Sequence, residues 1–179
     1  MSSAVKLEVT HAPGAALFQL IGAVTAIFAL GNAENYALVI NALSATCSAF
    51  TILFLFWLIT HFTRRLFNKE YTDLSVTEQI GILFSGAIGA LCFTFSDTFW
   101  YSAVEGEVYA MATMFISLLL WLSTKWENEY LDQGNERWII LTFFIVGLSV
   151  GVHMMCMLAL PAACFVYYAR NYKFTWKNF

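Results

Sequence analysis

Long apolar runs constrain this chain more than any other feature. From Tyr36 to Thr60 there is an unbroken stretch of about 25 residues without a charged side chain, enough helix to cross about 30 Å of hydrocarbon. Further runs occupy 80–95, 108–124, 138–150 and 154–168. None alternates polar and apolar residues with the period of two that marks a membrane barrel strand. Backbone N–H and C=O groups in hydrocarbon must be satisfied within their own segment, so these runs are predicted to be helices. Composition agrees: 60% of the 179 residues are apolar and 12% charged, against about 45–50% and about 25% in a soluble domain. The fold class is therefore all-α, a multi-pass transmembrane helix bundle of about five spans. Residues 1–179 form a single membrane-embedded domain.

Residues 14–30 form a shorter apolar run between His11-Ala12-Pro13-Gly14 and Gly31-Asn32, which punctuate a helix at both ends. The run either barely spans or lies in the interface. Ser85, Gly86, Gly89 and Ala90 have the small-xxx-small spacing that lets helix backbones approach closely. Pro161 predicts a kink in the last run. Cys47, Cys92, Cys156 and Cys164 all lie within apolar runs without metal-ligand spacing and read as small buried residues. Residues 1–10 have no charged-then-apolar leader, so no signal peptide is expected. No basic tract points to nucleic acid.

The spans assign each loop to a side. Arg64, Arg65 and Lys69, then Lys125 and Arg137, then Arg170, Lys173 and Lys177 all fall on one face, eight of the nine basic residues. By the positive-inside rule that face is cytoplasmic. The acidic segment 97–107 and the turn at His153 are then extracytoplasmic. His61, beside Arg64 and Arg65, reads as a solvated helix end.

Asp97, Glu105 and Glu107 stand at the edge of hydrocarbon, where charge is costly. A helix beginning near Val104 would place Glu107 on one stripe with Met111, Met114 and Leu118, facing the bundle interior, and turn Glu105 away. A partly desolvated carboxylate can accept a proton from an attacking hydroxyl, its pKa raised by burial. It can equally hold a divalent cation beside a phosphate. Residue types alone do not separate these two roles. His153, and His11 ahead of the rigid Pro13-Gly14 turn, can donate hydrogen bonds at the same surface.

Three segments carry a resemblance: His11 to Phe18; Phe95 to Trp100 with Ala103 and Glu107-Val108-Tyr109; and Gly147 to His153 leading to Leu160-Pro161. In order and spacing the chain resembles the GT-C superfamily of membrane glycosyltransferases, in its protein O-mannosyltransferase-like branch. The resemblance implies transfer of a sugar from a polyprenyl-phosphate carrier to an acceptor, commonly a protein Ser or Thr hydroxyl, on the outer face. It makes 14–30 a juxtamembrane helix in a bacterial inner membrane, places Glu107 in the second acidic site, His11 near the carrier phosphate and His153 at the cavity mouth, with the general base expected upstream. Asp97 joins Glu107 as a catalytic candidate and His153 joins His11 as a phosphate contact. The expected partners are the bilayer, the lipid-linked donor and an acceptor protein, with a divalent cation as the possible cofactor. Relatives carry an Asp-x-Gly-Glu-like motif before the region where this chain starts, so the chain is expected to be an internal piece that does not catalyse transfer alone. A non-catalytic membrane subunit or scaffold is the competing reading. A transporter would need charges near mid-span, and the charges sit at run ends.

Overall fold

The structure, a computed structural model, describes residues 6–8, 15–130 and 136–172. It is all-helical over these residues: α1 (Ala16–Ala26), α2 (Asn35–Arg65), α3 (Val76–Thr94), α4 (Asp97–Val104), α5 (Val108–Asn128), α6 (Glu136–Val150) and α7 (Ala159–Asn171), with short 3-10 turns at Ile27–Ala29, Tyr71–Asp73 and Met154–Leu158. Three of these helices, α2, α3 and α5, are long and apolar enough to cross a membrane. The two remaining expected spans appear as shorter pieces, the 15 residues of α6 and the 13 of α7.

The helix ends follow from local chemistry. At α3, Ser75 accepts from the Glu78 backbone N–H while the Glu78 carboxylate accepts from the Ser75 N–H, a reciprocal capping box. α2 ends on Arg64 and Arg65, cations that suit the negative end of the helix dipole. α1 and its 3-10 extension stop at Leu30 and Gly31, the glycine at φ +77°, a left-handed conformation that costs a residue without Cβ nothing. The last apolar run does not kink at Pro161 as expected. It breaks earlier, into the 3-10 turn at 154–158, and α7 restarts at Ala159, so Pro161 falls in a first turn where its missing N–H has no helical partner to lose.

α5 is the central helix. It packs on α2, α6 and α7, and α2 carries α3, α4 and α1. Half of the apolar stretch of α5 is buried against 17% for α3, whose outer side is left for lipid. α2 and α5 run parallel, because the C-terminal Arg65 of one meets Glu127 near the C-terminus of the other at 2.6 Å. The expected close approach of α3 occurs at Gly86, where an added Cβ would stand 2.9 Å from the Phe56 ring, and Ser85 Oγ donates to Thr63 Oγ1 at 3.0 Å. Phe18, Cys47, Met111, Phe115, Val152 and Cys156 form one core cluster joining α1, α2, α5 and the α6–α7 turn. Cys47 and Cys156 are thus buried as expected, but Cys92 and Cys164 are exposed on the outer surface, so the reading of all four cysteines as buried is corrected.

Candidate functional site

The acidic segment does not form a continuous loop. Asp97 opens the short helix α4, the backbone extends through Glu105 and Glu107, and α5 begins at Val108 with Glu107 as its N-cap residue. A tight turn, the Glu107 N–H donating to the Glu105 carbonyl at 2.8 Å around buried Gly106, sets the break. This corrects the expected helix start near Val104 and takes Glu107 off the stripe of Met111, Met114 and Leu118, which does face the core. Glu107 is exposed, as are Glu105 and Asp97, while Met111 one turn further is 2% exposed. The reason is that α4 takes up the residues through Val104 against α2, and the chain must leave its axis before α5 can start.

His153 is half-buried and positioned more firmly. It is the N-cap of the 3-10 turn, its Nδ1 accepting from the Met155 N–H at 3.1 Å. An accepting Nδ1 is unprotonated, so in the neutral ring the proton is on Nε2, which is left as a donor. The imidazole lies against the Tyr109 ring, centroids 5.6 Å apart, which brings the turn next to the residues that follow Glu107.

α1 docks on the same turn. The Leu17 N–H donates to the Gly151 carbonyl at 2.7 Å, and Phe18 is buried in the core beside Val152 and Cys156. From there α1 and its 3-10 extension pass to the start of α2, so the helix lies across this end of the bundle. At 14 apolar residues it falls short of a span. His11, assigned to the same surface, lies outside the described residues.

The start of α1, the acidic segment and the Gly151–His153 turn, far apart in sequence, therefore share one end of the molecule. Under α4 is a small cavity of about 280 Å³ lined by Ser48, Phe99 and Trp100 among others. Ser48 Oγ is buried without a hydrogen-bond partner among the described residues. No three His, Cys, Asp or Glu side chains among the described residues stand close enough to share a metal ion.

The opposite end carries Arg64, Arg65, Lys69, Lys125, Arg137 and Arg170. Arg65 pairs with Glu127, Lys69 with Glu78 and Arg137 with Glu129, each at 2.6 Å, and Arg170 lies over the Tyr130 ring. His61 is not a solvated helix end: its side chain is 14% exposed, and its Nε2 lies 4.0 Å from Glu127. It borders a cavity of about 770 Å³ shared with Trp57, Arg64, Gln79, Trp121 and Lys125. No local sequence signal marks this cavity, since its walls come from residues about 60 positions apart that only packing brings together.

The fold and its two chemically distinct ends define an all-helical membrane protein with carboxylates and an imidazole at one end and a cluster of basic residues at the other. Residues 1–176 match the family model described as the protein O-mannosyl-transferase TMEM260 N-terminal domain, and the chain belongs to this family. It is similar to the protein O-mannosyl-transferase tmem260 of Dictyostelium discoideum, at 25% identity over 166 residues, covering 87% of this chain and 18% of that protein. It is also similar to the protein O-mannosyl-transferase TMEM260 of Mus musculus, at 26% identity over 151 residues, covering 84% of this chain and 19% of that protein. The chain thus spans about a fifth of the length of these relatives. No solved structure matches.

Proposed function

We propose that this chain is part of a glycosyltransferase that moves a sugar, a mannose by analogy with its relatives, from a polyprenyl-phosphate carrier to a Ser or Thr hydroxyl of an acceptor protein. The observation that supports this best is the convergence at one end of the bundle of α1, the Glu107–Tyr109 segment and the Gly151–His153 turn, in a family whose members are named protein O-mannosyl-transferases. We place that end on the extracytoplasmic face, with the basic end in the cytoplasm, as the distribution of Lys and Arg favours. The setting read from the sequence is a bacterial inner membrane.

The roles follow from donor and acceptor chemistry. His153, with Nε2–H as its donor, suits a non-bridging oxygen of the carrier phosphate, and His11 is assigned beside it. Glu107 and Asp97 are acceptors on the same end: one accepts the proton of the attacking hydroxyl, or the two hold a divalent cation that offsets the phosphate charge.

The test is transfer of labelled mannose from a polyprenyl-phosphate donor to a Ser/Thr peptide by the intact protein. Glu107→Ala is expected to lower kcat at least about 100-fold, the usual scale for loss of a general base. His153→Ala is expected chiefly to raise KM for the donor. Unchanged transfer in both variants would discard the roles given to Glu107 and His153, and no transfer by the unaltered protein would favour a scaffold whose exposed carboxylates bind a cation or partner.

A further inference from the structure

α2 lies between α3 and α5, and at the basic end these two flanking helices leave the cavity of about 770 Å³ open between them. Its wall carries Arg64, Lys125 and His61 and no carboxylate, although the chain as a whole has a net charge of −3. The nearby acids are engaged elsewhere: Glu127 by Arg65, Glu78 by Lys69 and Glu129 by Arg137. Among the described residues Arg64 and Lys125 form no ion pair, and Lys125 Nζ rests over the Trp121 ring, 5.2 Å from its centroid.

Three neutral polar groups on the wall are already turned onto backbone, and the Asn128 amide lies 3.4 Å from His61 Nδ1. Thr60 donates to the Trp57 carbonyl, Thr124 to that of Trp121, and the Gln79 amide to that of Leu74. What remains to face the cavity is cationic, the Arg64 guanidinium and the Lys125 ammonium, while His61 turns its Nε2 towards Glu127, 4.0 Å away. The rest of the wall is apolar, with Trp57, Ile82, Leu83 and Trp121. Leu83 is 54% exposed on the outer side of α3, alongside exposed Ile80 and Phe84, so the apolar wall continues onto the lipid-facing surface.

A soluble anion would use only the cations. A molecule with a phosphate at one end and hydrocarbon at the other uses both halves of the wall. We infer that this cavity holds the phosphate headgroup of an anionic phospholipid from the adjoining leaflet, between Arg64 and Lys125, with its acyl chains lying along Leu83 and the outer face of α3. The site is separate from the acidic end and does not depend on the transfer reaction.

Native mass spectrometry of the intact protein in mild detergent, titrated with phosphatidylglycerol, phosphatidylcholine or glycerol phosphate, tests this. One phosphatidylglycerol should be retained per chain in preference to phosphatidylcholine. Its affinity should fall about fivefold in Arg64→Gln and about 25-fold in the double variant with Lys125→Gln, as for about one fivefold step per cation near a membrane surface. Lys69→Gln, whose charge is engaged by Glu78 outside the cavity, should change nothing. Equal retention of the two lipids, or full retention in the double variant, would overturn the site. Glycerol phosphate displacing the lipid at matched concentration would assign the cavity to a soluble phosphate instead. Should the double variant fail to fold, the lipid preference and the competition on the native protein decide by themselves.

Discussion

Gly151 shows how one residue can hold an element in place. An added Cβ there would stand 3.1 Å from the Leu17 Cβ and 3.2 Å from the Leu148 carbonyl, neither of which can move without its backbone, and Gly151's own carbonyl anchors α1. Gly151→Ala is therefore expected to cost about 1–3 kcal/mol, the range for overpacking, and to raise amide exchange across α1. Gly147 has nothing within 4 Å of its Cβ position, so Gly147→Ala should be neutral or gain about 0.5–1 kcal/mol from helix propensity. Equal effects of the two would remove the docking role. Glu129 offers a second residue-scale test. The Trp138 indole N–H and the Arg137 guanidinium donate to its carboxylate, at 2.7 and 2.6 Å, and hold its pKa below the ordinary value. A depressed carboxylate contributes stability that is present above its unfolded pKa of about 4.5 and is lost as pH falls through the lower folded value. Denaturant midpoints should fall as pH drops from about 4.5 through that lower value, and Trp138→Phe should flatten the dependence.

Among the elements, the α2–α3 pair is decided by small residues. At Gly86 a Cβ would meet both Thr60 and the Phe56 ring, at 2.5 and 2.9 Å, whereas at Gly89 it would meet only the tip of Ile59. A flexible methyl can turn aside and a ring wedged against a neighbouring helix cannot. Gly86→Ala is expected to destabilise the pair by about 1–3 kcal/mol and Gly89→Ala by clearly less, as read from reversible unfolding in detergent. The small-xxx-small spacing announced this contact in the sequence, but not which of its glycines is the tight one. The same limit applies to Pro161. Its residue type predicts a break in the last run, while its position in the first turn of α7 follows from His153 capping the 3-10 turn ahead of it.

For the whole molecule, the separation of charge is the organising feature. Arg65 and Glu127 join the parallel ends of α2 and α5, with the carboxylate largely enclosed at 14% exposure and the guanidinium at 43%. Because the cation is well solvated, a double-mutant cycle with Arg65→Ala and Glu127→Ala should return a coupling of only about 0.5–1 kcal/mol. A coupling near zero would mean that packing alone holds these ends together. The acidic end is tied differently, by α1 crossing it and by the shared core of Phe18, Cys47 and Val152, so losing α1 is a loss of packing there and not of charge.

Apolar run length and the placement of Lys and Arg were enough to make the chain an all-helical membrane protein and to sort its loops into two groups, because the cost of burying unpaired backbone and charge in hydrocarbon acts on each segment by itself. Those segment-level rules could not say that α4 would interrupt the acidic segment and leave Glu107 exposed, that Leu17 would bond to Gly151, or that His61 would close over Glu127. Each of these depends on which helix reaches which neighbour. That is settled by competition among side-chain volumes across residues tens of positions apart, and only the assembled bundle resolves it.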